Sequence, residues 1–147
     1  MTPSPIAFAV AILAGITTPV LASLTTAQEE TLAAILVAEA GGESRAAMQG
    51  VMETIDNRAG RLKQNWVREA LKPGQYSVLN GTNPVALIYQ ARTHRRWEMA
   101  LSIVRNFQNK GLVNGSKYFH SPMDLIPYWA KGQPVIARIG KLTFYRL

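Results

Sequence analysis

The chain of 147 residues contains no cysteine and only two histidines, His94 and His120. Without cysteine it has no disulfide framework and no thiolate metal site. The two histidines also lack the spacing to further His or Asp residues that a zinc site requires. No glycine-rich phosphate loop precedes a predicted helix, which argues against a nucleotide site. We therefore expect neither a metal nor an organic cofactor.

Lysine and arginine are absent from the first 44 residues. All 16 basic residues lie from Arg45 onward, against five acidic residues in the same segment, which gives that segment a formal net charge of +11. Such a surface attracts anionic polymers, including cell-wall glycan with acidic stems, lipid headgroups and nucleic acid. Charge alone does not choose among these partners, and it also serves solubility.

The chain has no apolar run long enough to be read as a membrane-spanning helix. Ile6–Ile16 is uncharged but only 11 residues long. Thr17-Thr18-Pro19 interrupts it, and Val20-Leu21-Ala22 then predicts signal-peptide cleavage after Ala22. Because no Lys or Arg precedes the run, an uncleaved anchor is the alternative, and a buried N-terminal helix is a third interpretation. The first two send residues 23–147, predicted to be one domain, across a membrane.

Glu39 interrupts an otherwise apolar helix face. Leu32, Ile35 and Leu36 occupy positions i, i+3 and i+4 of a predicted helix, and Glu39 follows at i+7. Gly41-Gly42 end this helix, so Glu39 falls in its last turn. A carboxylate on an apolar face is costly unless it is paired, protonated or facing a cleft, and burial raises the pKa of a carboxyl group. A buried ion pair with an arginine and an active-site acid both remain open.

Capping signals and apolar periodicity predict helices through the middle of the chain. In order, they run from the capping box Thr26–Glu29 to Gly41, from Ser44 through the stripe Met48, Val51, Met52 and Ile55 to Arg58, from Asn65 to Leu71, and from Asn83-Pro84 to about Asn109 with a break near Thr93-His94. Trp97 falls on the apolar face of the last stretch and is predicted to be core. His94, beside Arg95-Arg96, is predicted to lie on a solvated basic face.

From Asn114 onward the chain becomes rich in aromatic residues and proline. Val135–Ile139 and Leu142–Arg146 flank Gly140-Lys141, a two-residue hairpin signal. We therefore predict an α+β fold that is mainly α, with a small antiparallel β-sheet at the C-terminus. No internal repeat or second domain is visible.

Several motifs occur in the order found in one enzyme family. They are Ala38–Glu43, Gln49 with Asn57-Arg58, Pro73–Ser77, Trp97 with Ala100-Leu101, and a tail containing Tyr118, His120, Pro127, Trp129, Ile139-Gly140 and Phe144-Tyr145. Together they resemble the SleB/CwlJ-type cell wall hydrolases, the spore-cortex-lytic family of peptidoglycan-cleaving enzymes, over roughly residues 31–146. Two positions depart from the family pattern: Tyr76 replaces a more usual Phe, and Gly41 replaces a frequent Arg.

The resemblance implies a lysozyme-like, lytic-transglycosylase-like helical domain that cleaves the bond between N-acetylmuramic acid and N-acetylglucosamine. Glu39 would be the general acid, a role that suits a carboxyl on an apolar face. Glu43 is the second carboxylate candidate, although it equally suits a cap of the next helix or a partner of Arg45 or Arg58. If Glu43 does not face the cleft, Glu39 would act alone, as in a lytic transglycosylase that forms 1,6-anhydromuramoyl ends. Hydrolysis by a muramidase-type mechanism with two carboxylates is the alternative.

The resemblance also implies substrate-binding residues, which are Gln75, Tyr76, Ser77, Tyr118, His120, Trp129 and Tyr145. Tyr118, His120, Trp129 and the adjacent Tyr128 could stack on sugar rings or form ordinary core. Gln75 and Ser77 could bind acetamido groups or stabilise a turn.

Two other classes of function compete with this one. A non-catalytic peptidoglycan-binding or assembly domain would keep the aromatic residues without needing a buried acid. An exported basic protein that binds nucleic acid or membrane would show no dependence on Glu39. Because the segment around Glu39 counts against both, we expect glycan strands as the partner, no nucleic acid, and a location in the periplasm, the cell wall or outside the cell, with membrane association only through an uncleaved N-terminal segment.

Overall fold

The computed structural model describes residues 23–122 and 125–147. The predicted leader falls on residues 1–22 and lies outside the described residues. Within the described ranges, no helix is long and apolar enough to cross a membrane.

Across these residues, five α-helices are followed by a three-stranded sheet. The elements are α1 (Thr26–Ala40), α2 (Arg45–Arg58), α3 (Trp66–Ala70), α4 (Pro84–Ala91), α5 (Trp97–Arg105), β1 (Tyr118–His120), β2 (Val135–Ile139) and β3 (Leu142–Tyr145). The predicted fold class, mainly α with a small C-terminal antiparallel sheet, is confirmed.

Helix α1 is the centre of the helical layer. It packs against α2, α4 and α5, and every residue from Leu32 to Val37 is buried. The predicted one-sided stripe is therefore too narrow, because neighbouring helices cover α1 from several directions. Its capping box pairs Thr25 with Gln28, one residue earlier than predicted, and the helix ends at Ala40. Glu39 accordingly lies in the last turn, as predicted.

Helix α2 follows the predicted pattern closely. The Ser44 hydroxyl accepts a hydrogen bond from the Ala47 N–H at 3.1 Å and caps the helix. Met48, Val51, Met52 and Ile55 are fully buried. These residues join Leu32, Leu36 and Trp97 in one core, which confirms the prediction for Trp97.

Helix α5 ends earlier than predicted, at Arg105 instead of about Asn109. The following loop turns back onto α2, where its backbone bonds to two buried side chains. Gln49 Nε2 donates to the Gln108 carbonyl at 2.9 Å, and Glu53 Oε1 accepts from the Leu112 N–H at 2.8 Å. These hydrogen bonds hold the segment after Arg105 against α2, on a path that does not continue the helix.

His94 also departs from the prediction of a solvated position. Its ring is half-buried beside Gly41, where an added Cβ atom would approach the ring to 3.1 Å. His94 Nδ1 accepts a hydrogen bond from the Arg96 N–H at 3.1 Å. Gly41 therefore leaves room for the His94 ring at the end of α1.

The sheet is antiparallel in the order β1-β3-β2. Strands β2 and β3 form the predicted hairpin around Gly140-Lys141, with Gly140 at φ +56°. Strand β1 pairs along the other edge of β3, placing Tyr118 opposite Tyr145. This pairing brings the aromatic tail to the C-terminal ends of α1 and α2.

Candidate active site

A cleft of about 560 Å³ lies where the ends of α1 and α2 meet strand β1 and two loops. Its lining consists of Glu39, Arg58, Gly74, Gln75, Tyr76, Ser77, Tyr118, Phe119, His120, Ser121, Pro127, Trp129 and Leu147. Glu39 is half-buried in the last turn of α1. Of the described residues that line the cleft, Glu39 is the one with an acidic side chain.

Arg58, the last residue of α2, holds the walls of the cleft together. One terminal nitrogen of its guanidinium donates to the Tyr76 hydroxyl at 2.7 Å, and the other donates to the Lys117 carbonyl at 2.9 Å. The guanidinium carbon also lies 5.4 Å from the centroid of the Tyr76 ring. Because these partners belong to different loops, Arg58 fixes both loops against α2.

Tyr76 forms the floor beside Arg58 and is only 3% exposed. Burial raises the pKa of its phenol above the ordinary value of 10.0, and this effect outweighs the lowering caused by the charge and hydrogen bond of Arg58. The negative charge of Glu39 raises this pKa further. Glu39, Arg58 and Tyr76 therefore interact electrostatically within one site.

Aromatic rings form another part of the cleft lining. Tyr118 lies 5.7 Å from Trp129 between ring centroids, and His120 lies 6.5 Å from Trp129. His120 stacks on Tyr145 with centroids 5.4 Å apart, and His120 Nε2 lies 2.7 Å from the Tyr145 hydroxyl. Trp129 remains 38% exposed, so part of its surface is open to a ligand.

Most of the predicted site residues meet in this cleft. Glu39, Gln75, Tyr76, Ser77, Tyr118, His120 and Trp129 all line it. Tyr145 does not belong to the lining: it is 5% exposed and supports His120 from behind. Tyr128 is 90% exposed and also lies outside the lining.

Glu43 is not brought to the cleft. Its carboxylate instead lies at the β2–β3 turn, where Oε2 is 3.4 Å from the Lys141 N–H and close to Gly140. The reason is local, since Gly41-Gly42 end α1 and Glu43 no longer continues its face. The cap of α2 is Ser44, so the capping role considered for Glu43 is also not observed.

The cleft contains residues that sequence reasoning did not assign to it. Arg58 was visible only as a motif position and as a partner for Glu43, and Phe119, Ser121, Pro127 and Leu147 were not singled out as ligand contacts. The sequence feature that could have assigned Arg58 to the cleft was its position at the end of α2, directly after Asn57. Over residues 23–122 and 125–147, no group of three or more His, Asp or Glu side chains could hold a metal ion.

Two solved structures show the same arrangement of elements. The catalytic domain of the germination-specific lytic transglycosylase SleB from Bacillus anthracis superposes with a TM-score of 0.64 at 19% identity, covering 84% of this chain and 98% of that domain. The chain has the fold of a SleB catalytic domain. The Bacillus cereus SleB catalytic domain gives the same TM-score at 20% identity, covering 90% of this chain and 99% of that domain. No protein-family model and no curated protein sequence matches the chain. The two structural matches confirm, at the level of the fold, the resemblance predicted from the sequence motifs.

Proposed function

We propose that this domain cleaves peptidoglycan glycan strands between N-acetylmuramic acid and N-acetylglucosamine, as a lytic transglycosylase. The observation that carries the proposal is the half-buried Glu39, the acidic side chain of the described lining, in a cleft that also contains Arg58 and aromatic rings. The SleB-like fold supports it, because the similar Bacillus anthracis domain is named as a lytic transglycosylase.

Glu39 would serve first as acid and then as base. Its carboxyl proton passes to the glycosidic oxygen as the bond from that oxygen to C1 of N-acetylmuramic acid breaks. The 6-hydroxyl oxygen of the same sugar then bonds to C1, and its proton returns to Glu39. The products are a 1,6-anhydromuramoyl end and a free 4-hydroxyl on N-acetylglucosamine. Glu39 regains its proton at the end of the cycle, and no water molecule is consumed.

The other cleft residues would orient the glycan for this step. Trp129, Tyr118 and His120 offer ring faces and edges to pyranose rings, while Gln75 and Ser77 offer polar groups on the loop opposite. Because peptidoglycan lies outside the cytoplasm, the proposal includes an exported protein. Its N-terminal segment would be a cleaved signal or an anchor.

The product distinguishes this route from hydrolysis. Purified protein would be incubated with purified peptidoglycan, and the released muropeptides would be measured by mass spectrometry. We expect anhydromuramoyl ends. Reducing ends, heavier by one water, would instead establish a muramidase-type hydrolase. The absence of products from folded protein on several wall types would favour a non-catalytic binding domain.

A further inference from the structure

Two buried side-chain atoms of the described chain have no hydrogen-bond partner, and both belong to cleft residues. They are Nε of Arg58, a donor, and Oε1 of Gln75, an acceptor. Buried polar groups in folded proteins are nearly always paired, because an unpaired one costs free energy. Each atom therefore lacks a hydrogen bond from within the described protein, and both residues line the cleft.

The Arg58 donor is fixed in place. Both terminal nitrogens of the guanidinium are occupied, by the Tyr76 hydroxyl and the Lys117 carbonyl. The planar group cannot rotate without breaking these bonds, so the Nε–H keeps one direction. A fixed donor of this kind selects a ligand acceptor by position.

The backbone of Gln75 is held by the neighbouring turn. The Gln75 N–H donates to the Lys72 carbonyl at 3.1 Å, and Gly74 adopts φ +77° within this turn. Gln75 directly precedes Tyr76, to which Arg58 is bonded. Donor and acceptor thus belong to adjoining parts of the same cleft.

We propose that Arg58 and Gln75 together recognise the acetamido group of an N-acetylated sugar, an inference that rests on the proposed function. Arg58 Nε–H donates to the acetyl carbonyl, and Gln75 Oε1 accepts from the amide N–H. The carbonyl and N–H of a secondary amide point in opposite directions, so the group lies between the two side chains. Both unpaired atoms are satisfied at once.

Other groups of a glycan strand fit this pair less well. A carboxylate satisfies Arg58 but places negative charge against the Gln75 oxygen. A protonated amine satisfies Gln75 but is repelled by the guanidinium and leaves Nε–H unpaired. The cleft should therefore reject glycan from which the N-acetyl groups have been removed.

The test compares three peptidoglycan samples: native, chemically N-deacetylated, and deacetylated material that has been re-N-acetylated. We expect initial cleavage rates to fall about tenfold to a hundredfold on deacetylated glycan, as an unpaired buried group predicts, and to recover after re-acetylation. Equal rates on native and deacetylated material would overturn the inference and leave the proposed function intact. No cleavage of any sample by folded protein would overturn the proposed function, and the inference with it.

Variants assign the effect to the two side chains. Gln75→Leu and Arg58→Gln should each slow cleavage of native glycan and reduce the ratio between native and deacetylated rates. Arg68→Gln, which removes the same charge from an exposed site on α3, should leave the ratio unchanged. The ratio is independent of the folded fraction, so it stays informative if Arg58→Gln is unstable. An unchanged ratio in Gln75→Leu would overturn the inference.

Discussion

Tyr76 and Glu53 are ionisable residues that the fold buries almost completely. The Tyr76 hydroxyl accepts a hydrogen bond from the Arg58 guanidinium. The fully buried Glu53 carboxylate accepts hydrogen bonds from the backbone of the loop after α5. Neither environment follows from local sequence, because the partners lie far along the chain. Each makes a testable contribution to stability.

Replacing Tyr76 by Phe should destabilise the protein in a pH-dependent way. At neutral pH the variant loses the hydrogen bond to Arg58, which costs about 1–3 kcal/mol in the free energy of unfolding. Because the folded state raises the pKa of Tyr76, wild type holds this phenol proton more tightly when folded. This stabilisation is complete below pH 10 and is lost as pH rises through the raised pKa, so the difference from Tyr76→Phe should shrink there. Urea unfolding of wild type and Tyr76→Phe, at neutral pH and above pH 10, measures this difference in the free energy of unfolding.

The exposed Tyr89 provides the control for this measurement. Tyr89→Phe should match wild type at neutral and alkaline pH. A Tyr76→Phe difference that stays constant above pH 10 would contradict the assigned role of burial.

Glu53→Ala should lower the free energy of unfolding by about 3 kcal/mol. The substitution removes the carboxylate that accepts from the Leu112 N–H at 2.8 Å and from Gln49 Nε2 at 3.0 Å. The Leu112 N–H then loses its acceptor, and Gln49 Nε2 keeps only its bond to the Gln108 carbonyl. Thermal unfolding followed by circular dichroism measures the loss. The exposed Glu98→Ala is the matched control and should change stability by less than about 0.5 kcal/mol. Equal stability of the two variants would show that water replaces the carboxylate.

Among the elements, α1, α2 and the β2–β3 hairpin could be predicted because their signals are local. Caps at Ser44 and Asn83, apolar periodicity and Gly140-Lys141 all act within a few residues. The end of α5 could not be predicted, because its loop is held by Gln49 and Glu53. Burial of α1 on several sides depends equally on the packing of other helices.

The contact between α2 and the sheet depends on Gly50. An added Cβ atom there would lie 2.9 Å from Phe144 Cζ and 3.2 Å from both Ile139 Cδ1 and Val113 Cγ1. Phe144 is fully buried in the core. The side of α2 at Gly50 therefore approaches the sheet more closely than any larger residue allows.

Gly50→Ala should destabilise the protein by about 1 kcal/mol, because overpacking costs about 1–3 kcal/mol and exceeds the gain in helix propensity. Chemical denaturation measures the change. Gly42→Ala is the control: its Cβ would meet no atom within 4 Å, so stability should stay nearly constant. A more stable Gly50→Ala protein would mean that α2 and the sheet move apart readily.

At the scale of the whole molecule, the sequence locates some of the site residues, and tertiary packing locates the others. From the sequence, only the resemblance to a family predicted that Glu39, Gln75 and the aromatic tail belong to one site. In the structure, these residues line one cleft. The sequence could not locate Glu43, because the break at Gly41-Gly42 decides the direction of that side chain. Nor could it reveal the bond between Arg58 and Tyr76, whose geometry depends on tertiary packing.

The formal net charge of +7 should make binding to peptidoglycan depend on salt. Acidic stem peptides attract the basic surface, and salt screens this attraction, so co-sedimentation with insoluble peptidoglycan should weaken several-fold from about 50 to about 500 mM salt. Peptidoglycan with amidated carboxyl groups is the control and should bind with little salt dependence. Strong salt dependence on the amidated material would contradict this origin of the attraction.

The most direct test of the central claim compares Glu39→Gln with Glu43→Gln in peptidoglycan cleavage. Both substitutions replace a half-buried carboxylate by an amide of similar size, and circular dichroism would verify that both proteins are folded. If Glu39 is the acid and base, Glu39→Gln should lower the rate of anhydromuramoyl release by at least about a hundredfold, whereas Glu43→Gln should remain within about threefold of wild type. A folded Glu39→Gln protein that retains wild-type cleavage would contradict the account.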